Sequence, residues 1–133
     1  MPRNRTTTAP EPTRILVVED NLQLLALLRE VLVQKGYAVQ AARNGVEAMA
    51  ALSAPKHECP DAVLLDVGLP LENGVSVLQF LRRVMRSRAP VVVLTGRDDP
   101  EDRETLMRLG VSAYLTKPTP TEELLRALSR ALA

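Results

Sequence analysis

The sequence predicts an α/β domain built on a five-stranded parallel sheet with helices on both faces. Three observations carry this. Short apolar runs of strand length alternate five times with stretches of helical apolar spacing. Three of those runs are apolar nearly throughout, as expected of strands covered on both faces. The chain has 133 residues, the size of one compact domain with its own core and no room for a second.

The elements follow in order. Residues 1–13, MPRNRTTTAPEPT, hold three prolines and four threonines and no periodic apolar positions, so they cannot offset the entropy of ordering and read as a flexible tail. The folded domain is expected over 14–133. Ile15 to Val18 forms the first strand, and Leu24, Leu25, Leu28, Val31 and Leu32 give the following helix one apolar face. Asp20 or Asn21 can cap that helix, and Gly36 stops it. The second strand is placed at Tyr37 to Ala41, and Asn44 with Glu47 has capping-box spacing for a helix over about 45–53. The third strand is Ala62 to Leu65. Val77, Leu78, Leu81, Val84 and Met85 then repeat the helical spacing, and Arg82, Arg83, Arg86 and Arg88 place positive charge at the C-terminal end of that helix dipole. Val91 to Leu94 is the fourth strand. Pro100 suits the first position of a helix over about 100–109, after Asp99, and Gly110 suits its end. The fifth strand is Ala113 to Thr116. Thr119 with Glu122 has capping-box spacing, Pro120 would be the first helical residue, and Leu124, Leu125, Leu128, Ala131 and Leu132 form the last stripe.

Composition removes several classes of function. Seventeen Lys plus Arg against 16 Asp plus Glu leave a net charge of +1, which gives no bulk basic surface for nucleic acid. Cys59 is the single cysteine and His57 the single histidine, so no internal disulfide and no ordinary zinc site is expected. The longest apolar run, Leu24 to Leu28, is far shorter than the roughly 18 residues of a membrane helix, and residues 1–13 lack a hydrophobic signal core. The reading is a soluble cytoplasmic protein without a membrane partner.

In open parallel sheets the functional crevice lies beyond the carboxyl ends of the strands. Glu19 and Asp20 follow the first strand, Asp66 the third, Thr95 the fourth and Lys117 the fifth. Taken singly, Glu19 and Asp20 read as helix caps and Thr95 as an ordinary strand residue. Asp66, ending AVLLD, has no such structural reason. Lys117 is one of three lysines among 14 arginines and sits between a strand and Pro118. Carboxylates brought to about 4 Å repel by on the order of 4 kcal/mol per pair at an effective dielectric near 20. A hard divalent cation such as Mg2+ offsets that repulsion and keeps room for a phosphoryl oxygen. A lysine and a hydroxyl opposite the acids would anchor the other phosphoryl oxygens, so the chemistry suggested is phosphoryl transfer to or from a carboxylate.

From about Arg14 to its end the chain resembles a receiver domain of bacterial two-component response regulators. The motifs are ILVVED, LLDVGLPLENG with Asp66, Pro70 and Gly74, VVVLTG, and AYLTKP. The resemblance implies the flavodoxin-like (βα)5 doubly wound fold with strand order 2-1-3-4-5, one known for receivers. It implies that Asp66 takes a phosphoryl group from a sensor histidine kinase or a histidine phosphotransfer protein. Glu19, Asp20, Asp66 and the Gly68 carbonyl would hold Mg2+, Lys117 and Thr95 would contact the phosphoryl group, and Lys117–Pro118 would be cis. Thr95 and Tyr114 would switch the face formed by the fourth helix, fifth strand and fifth helix, which controls a downstream protein target or an output domain and can also support a homodimer. Such a domain catalyses only its own phosphorylation and slow dephosphorylation. Gly68 and Arg97 fall where the family shapes water access to the phosphoryl group. Arg97 is read as a cover over the phosphoryl group, as a partner of a phosphoryl oxygen or of Glu19, or as a solvated side chain.

Three rivals differ at particular residues. An aspartate-nucleophile phosphatase of the haloacid dehalogenase type needs a second aspartate two positions on, where this chain has Gly68. A nucleotide or flavin module would need a glycine-rich phosphate loop, and the six glycines include no such spacing. A receiver-like scaffold working without phosphorylation would not need every motif position filled. The sequence stops with the fifth helix, which leaves both a stand-alone receiver and one cut from a longer regulator open.

Overall fold

A computed structural model describes residues 11–69 and 73–133. Residues 1–10 of the expected tail, and Pro70 of the second motif, lie outside the described residues. Five parallel strands form one sheet in the order β2-β1-β3-β4-β5, the order that the resemblance implied. They are β1 (Arg14–Val18), β2 (Ala38–Ala42), β3 (Ala62–Leu65), β4 (Val91–Thr95) and β5 (Ala113–Thr116). The helices are α1 (Leu22–Gln34), α2 (Gly45–Leu52), α3 (Gly74–Gln79), α4 (Pro100–Arg108) and α5 (Thr121–Leu132).

Alternation along the central strands builds two apolar layers. Leu16, Val18, Val63, Leu65, Val91 and Val93 point to the side of α2, α3 and α4, where Leu52, Leu78, Leu81 and Leu106 meet them. Ile15, Val17, Ala62, Leu64, Val92 and Leu94 face α1 and α5, against Leu25, Leu28, Leu32, Leu124 and Leu128. Each fully buried aliphatic side chain contributes about 1.5–3 kcal/mol, so the central strands are the firmly held part of the molecule.

Most helix ends follow their sequence signals. Asn21, Asn44 and Asp99 cap α1, α2 and α4 with their side chains, and Gly36 and Gly110 end α1 and α4 at positive φ, 93° and 82°. Two expectations are corrected. α5 starts one residue late, at Thr121, with no side-chain cap, because the Thr119 hydroxyl donates instead to the Thr116 carbonyl. The third helix does not keep its stripe to Met85. Past Gln79 it widens into a π-helical stretch, Phe80–Val84, closed by Met85 N–H on the Phe80 carbonyl, and the extra residue in that turn rotates Val84 outward to 64% exposure.

Arg82 also does more than place positive charge at the end of a helix dipole. Its guanidinium donates to the carbonyls of Leu109, Ser87, Ala89 and Gly110 at 2.8–3.1 Å. It thereby ties the end of the third helix to the β4 entry and the α4 exit. Burial lowers its pKa from the usual arginine value.

Candidate functional site

The sheet ladder runs one residue past three strand ends and fixes the backbone of the polar residues there. Glu19 N–H donates to the Ala42 carbonyl at 2.9 Å, Asp66 N–H to Val18 at 3.0 Å, and Lys117 N–H to Thr95 at 2.8 Å. The Lys117–Pro118 bond is cis. Gly74 secures the Asp66 backbone from behind. A Cβ at position 74 would lie 2.5 Å from Val67 Cα and 2.7 Å from the Asp66 carbonyl oxygen, so only glycine lets α3 approach this closely.

From these anchors the side chains converge. Lys117 Nζ donates to Glu19 Oε1 at 2.9 Å and to Asp66 Oδ2 at 3.3 Å. The second Glu19 oxygen accepts Asn21 N–H at 3.0 Å and the second Asp66 oxygen accepts Gly68 N–H at 3.0 Å. Both acids are buried, at 2% and 6% exposure, and every one of their carboxylate oxygens has an N–H partner, as buried charge requires. Asp20 is exposed, yet it brings a carboxylate oxygen into a group with Glu19 and Asp66 whose members lie within 4.8 Å of one another.

Burial is the main influence on Glu19. Together with the nearby Asp66 charge it raises the Glu19 pKa above the usual 4.5, against the opposing hydrogen bonds from Lys117 and Asn21. Burial pulls Lys117 down, but the Glu19 hydrogen bond and the Asp66 charge outweigh it and raise the lysine above its usual value. The site therefore keeps its ammonium charge, while burial holds Glu19 against ionisation.

Thr95 ends β4 fully buried. Its hydroxyl donates to the Arg97 carbonyl at 3.2 Å and accepts Arg97 N–H at 3.1 Å. Tyr114 stands apart from the acids, with its hydroxyl on Asp98 Oδ1 at 3.2 Å. The Arg97 side chain is exposed but bends toward residue 68, where its Cδ would lie 3.9 Å from a Cβ at Gly68. A cavity of about 590 Å3 opens at the other end of the sheet, between Leu52, Cys59, Leu81, Met85 and Arg88, away from these residues.

Sequence reading missed Asn21 as a donor to Glu19, and it missed Asp98 and Arg103 as neighbours of Tyr114. Asp98 precedes the capping residue Asp99 and so adds an acid that helix capping does not need, which is the one sequence signal that could have marked it.

Residues 15–129 match the family model of the response regulator receiver domain. The chain belongs to that family. Among curated relatives, this receiver is 41% identical over 122 residues to the response regulator MprA of a Mycobacterium species and 40% identical over 120 residues to the transcriptional regulatory protein KdpE of Mycobacterium tuberculosis. Both matches cover 90% of the chain and 51% of the relative, so the chain spans about half the length of these proteins. Among solved structures, a CheY-like receiver domain protein from Methanospirillum hungatei superposes with a TM-score of 0.83 at 26% identity, covering 91% of this chain and 94% of that one. The receiver domain of the sensor histidine kinase PA1611 from Pseudomonas aeruginosa gives 0.78 at 32% identity, covering 91% and 98%, and that protein has a magnesium ion coordinated in its active-site cleft. Among the described residues, no helix is long and apolar enough to cross a membrane.

Proposed function

We propose that Asp66 is the phosphoacceptor of this receiver and that the phosphoryl group comes from the phosphohistidine of a sensor histidine kinase or a histidine phosphotransfer protein. The observation that carries this is the position of Asp66: a buried carboxylate with Lys117 Nζ at 3.3 Å and two further carboxylates beside it. A carboxylate oxygen of Asp66 attacks phosphorus, a P–O bond forms, the N–P bond of the donor breaks, and its electron pair returns to the imidazole nitrogen. Lys117, held protonated, supplies positive charge where phosphoryl oxygens gather, and Thr95 supplies a hydroxyl proton to one of them.

The donor set fits a hard divalent cation. Three carboxylates with atoms within 4.8 Å of one another offer only oxygen ligands, which suits Mg2+. Glu19, Asp20, Asp66 and the Gly68 carbonyl would hold it, and when bound it would neutralise negative charge on the phosphoryl oxygens. Gly68, two positions after Asp66, carries no acid that could protonate a leaving group, which argues against the phosphatase rival.

The output is conformational. Phosphorylation draws Thr95 toward the phosphoryl group and lets Tyr114 move, which shifts the α4-β5-α5 face between two states that partners distinguish. Those partners are a downstream protein target, an output domain or a second copy of the receiver bound through the same face, and the setting is cytoplasmic. Incubation with acetyl phosphate and Mg2+ should add the mass of one HPO3 to the intact protein and nothing to Asp66→Asn. Equal labelling of both proteins would reject Asp66 as the acceptor.

A further inference from the structure

The loop between β4 and α4 carries a continuous chain of contacts from Thr95 to Tyr114. Thr95 and Arg97 are joined by both bonds of the Thr95 hydroxyl, at 3.2 and 3.1 Å. The next residue, Asp98, accepts the Tyr114 hydroxyl on Oδ1 at 3.2 Å. Arg103, one turn into α4, sets its guanidinium carbon 4.8 Å from the centre of the Tyr114 ring, and one of its nitrogens is 3.9 Å from Asp98 Oδ2. Tyr114 is thus held at its oxygen by an anionic acceptor and on its face by a cation. Burial and the Asp98 carboxylate both raise the tyrosine pKa, so the hydroxyl keeps the proton that it donates.

We propose that Asp98 and Arg103 are positioning residues for Tyr114: they latch its ring beside α4 while the Thr95 hydroxyl stays bonded to Arg97, and the latch loosens when that hydroxyl turns away. The proposal rests on the reading above that Thr95 moves toward a phosphoryl group. The Thr95 hydroxyl has a single proton, and giving it to a phosphoryl oxygen removes it from the Arg97 carbonyl. Residue 97 then keeps only the bond from its N–H to the Thr95 oxygen, one of its two ties, and its neighbour Asp98 is held less firmly in the position from which it holds Tyr114. A ligand shifts an equilibrium only by its different affinity for the two states, so the latch sets how much of that difference is needed.

Fluorine NMR of protein carrying 3-fluorotyrosine tests this. The chain has two tyrosines, and Tyr37, just before β2, serves as an internal reference once Tyr37→Phe has assigned it. In the free protein, Asp98→Ala should move the Tyr114 resonance toward the position that beryllofluoride with Mg2+ produces in wild type and leave Tyr37 in place. It should lower the beryllofluoride concentration for half conversion by about two- to tenfold, the worth of one solvent-accessible hydrogen bond. Asp98→Asn keeps an oxygen acceptor and should return Tyr114 part of the way. Arg103→Ala should act in the same direction as Asp98→Ala and serves if the latter fails to fold, which a displaced Tyr37 resonance would reveal. A Tyr114 resonance unmoved in the folded variants, or equal half-conversion concentrations, overturns the latch. If wild type takes no phosphoryl group from acetyl phosphate, the phosphoacceptor reading falls by itself, and the free-state Tyr114 resonance still decides the latch.

Discussion

Replacing Lys117 by methionine keeps the apolar stem and removes the ammonium group shared by Glu19 and Asp66. Two carboxylates at 2% and 6% exposure then face each other without it. Removing one partner of a buried ion pair costs about 3–5 kcal/mol. Lys117 is itself 26% exposed, and water reaching the gap reduces that figure. Protonation of Glu19 limits it further, because a neutral acid ends the repulsion. The expected loss at neutral pH without metal is about 2–3 kcal/mol, a fall in melting temperature of roughly 6–15 °C for a domain of this size. The pH dependence has a definite sign. The Glu19 pKa is raised in the folded state, so its contribution to stability is fully present below the ordinary glutamate value and is lost as pH rises through the raised one. Lys117 lowers the Glu19 pKa, and its removal widens that window upward. The penalty of Lys117→Met should therefore be large at neutral pH and should shrink toward about pH 5. Melting curves by circular dichroism in EDTA, at several pH values, measure it. A variant that melts with wild type at neutral pH, or with a penalty independent of pH, would refute the charge balance assigned to this site.

In metal-free buffer Asp66→Asn should melt higher than wild type, since it removes one of three neighbouring acids, and Mg2+ should raise the wild-type melting temperature more than that of the variant. Mass action sets the scale at about 2.7 kcal/mol when the ion stands at 100 times its Kd, and paired thermal scans with and without Mg2+ report it. Gly74→Ala should destabilise by about 1–3 kcal/mol, because its Cβ meets backbone and not a movable side chain. It should also slow labelling by acetyl phosphate, since the displaced atoms belong to Asp66 and Val67; urea unfolding and timed intact mass separate the two effects. Arg82→Ala should cost about 2–3 kcal/mol through four carbonyls that lose a charged donor, with its melting temperature lowered and the position of the Tyr37 fluorine resonance unchanged.

Much of this was legible because strand ends place residues by register. Once Ile15–Val18 and Ala62–Leu65 read as buried strands, Glu19 and Asp66 had to emerge at one edge, and they do, each held by one more ladder hydrogen bond. Caps at Asn21, Asn44 and Asp99 were equally readable, because they depend on residues three apart or fewer. The π-helical stretch was not, because the apolar spacing from Val77 to Met85 fits an unbroken α-helix, and the Arg82 contact inside that stretch is with Leu109, 27 residues away. Nor was the Asp98–Tyr114 pair, whose members are 16 residues apart on different elements. Thr119 misled for the converse reason: its hydroxyl had a local carbonyl to donate to as well as a helix N–H to accept, and it donates to the Thr116 carbonyl without capping α5.

The uneven burial of the sheet ties the chemistry to the switch. β3 and β4 are buried at every residue, whereas β5 is half-buried over Ala113 to Leu115 and exposed at Thr116. Asp66 therefore extends from the part of the molecule with the most apolar area to lose, while Tyr114 and Lys117 belong to an edge strand with little. Local opening concentrates where few buried contacts oppose it, so a charge added at Asp66 meets a rigid floor on one side and a yielding edge on the other. Lys117 spans the two, its backbone bonded to the buried Thr95 and its ammonium to Glu19 and Asp66. On the proposed reading, a rearrangement of charge around Asp66 would act first on the Thr95 hydroxyl, on β5 and on the loop that holds Tyr114, because β5 and that loop have little buried packing to oppose it.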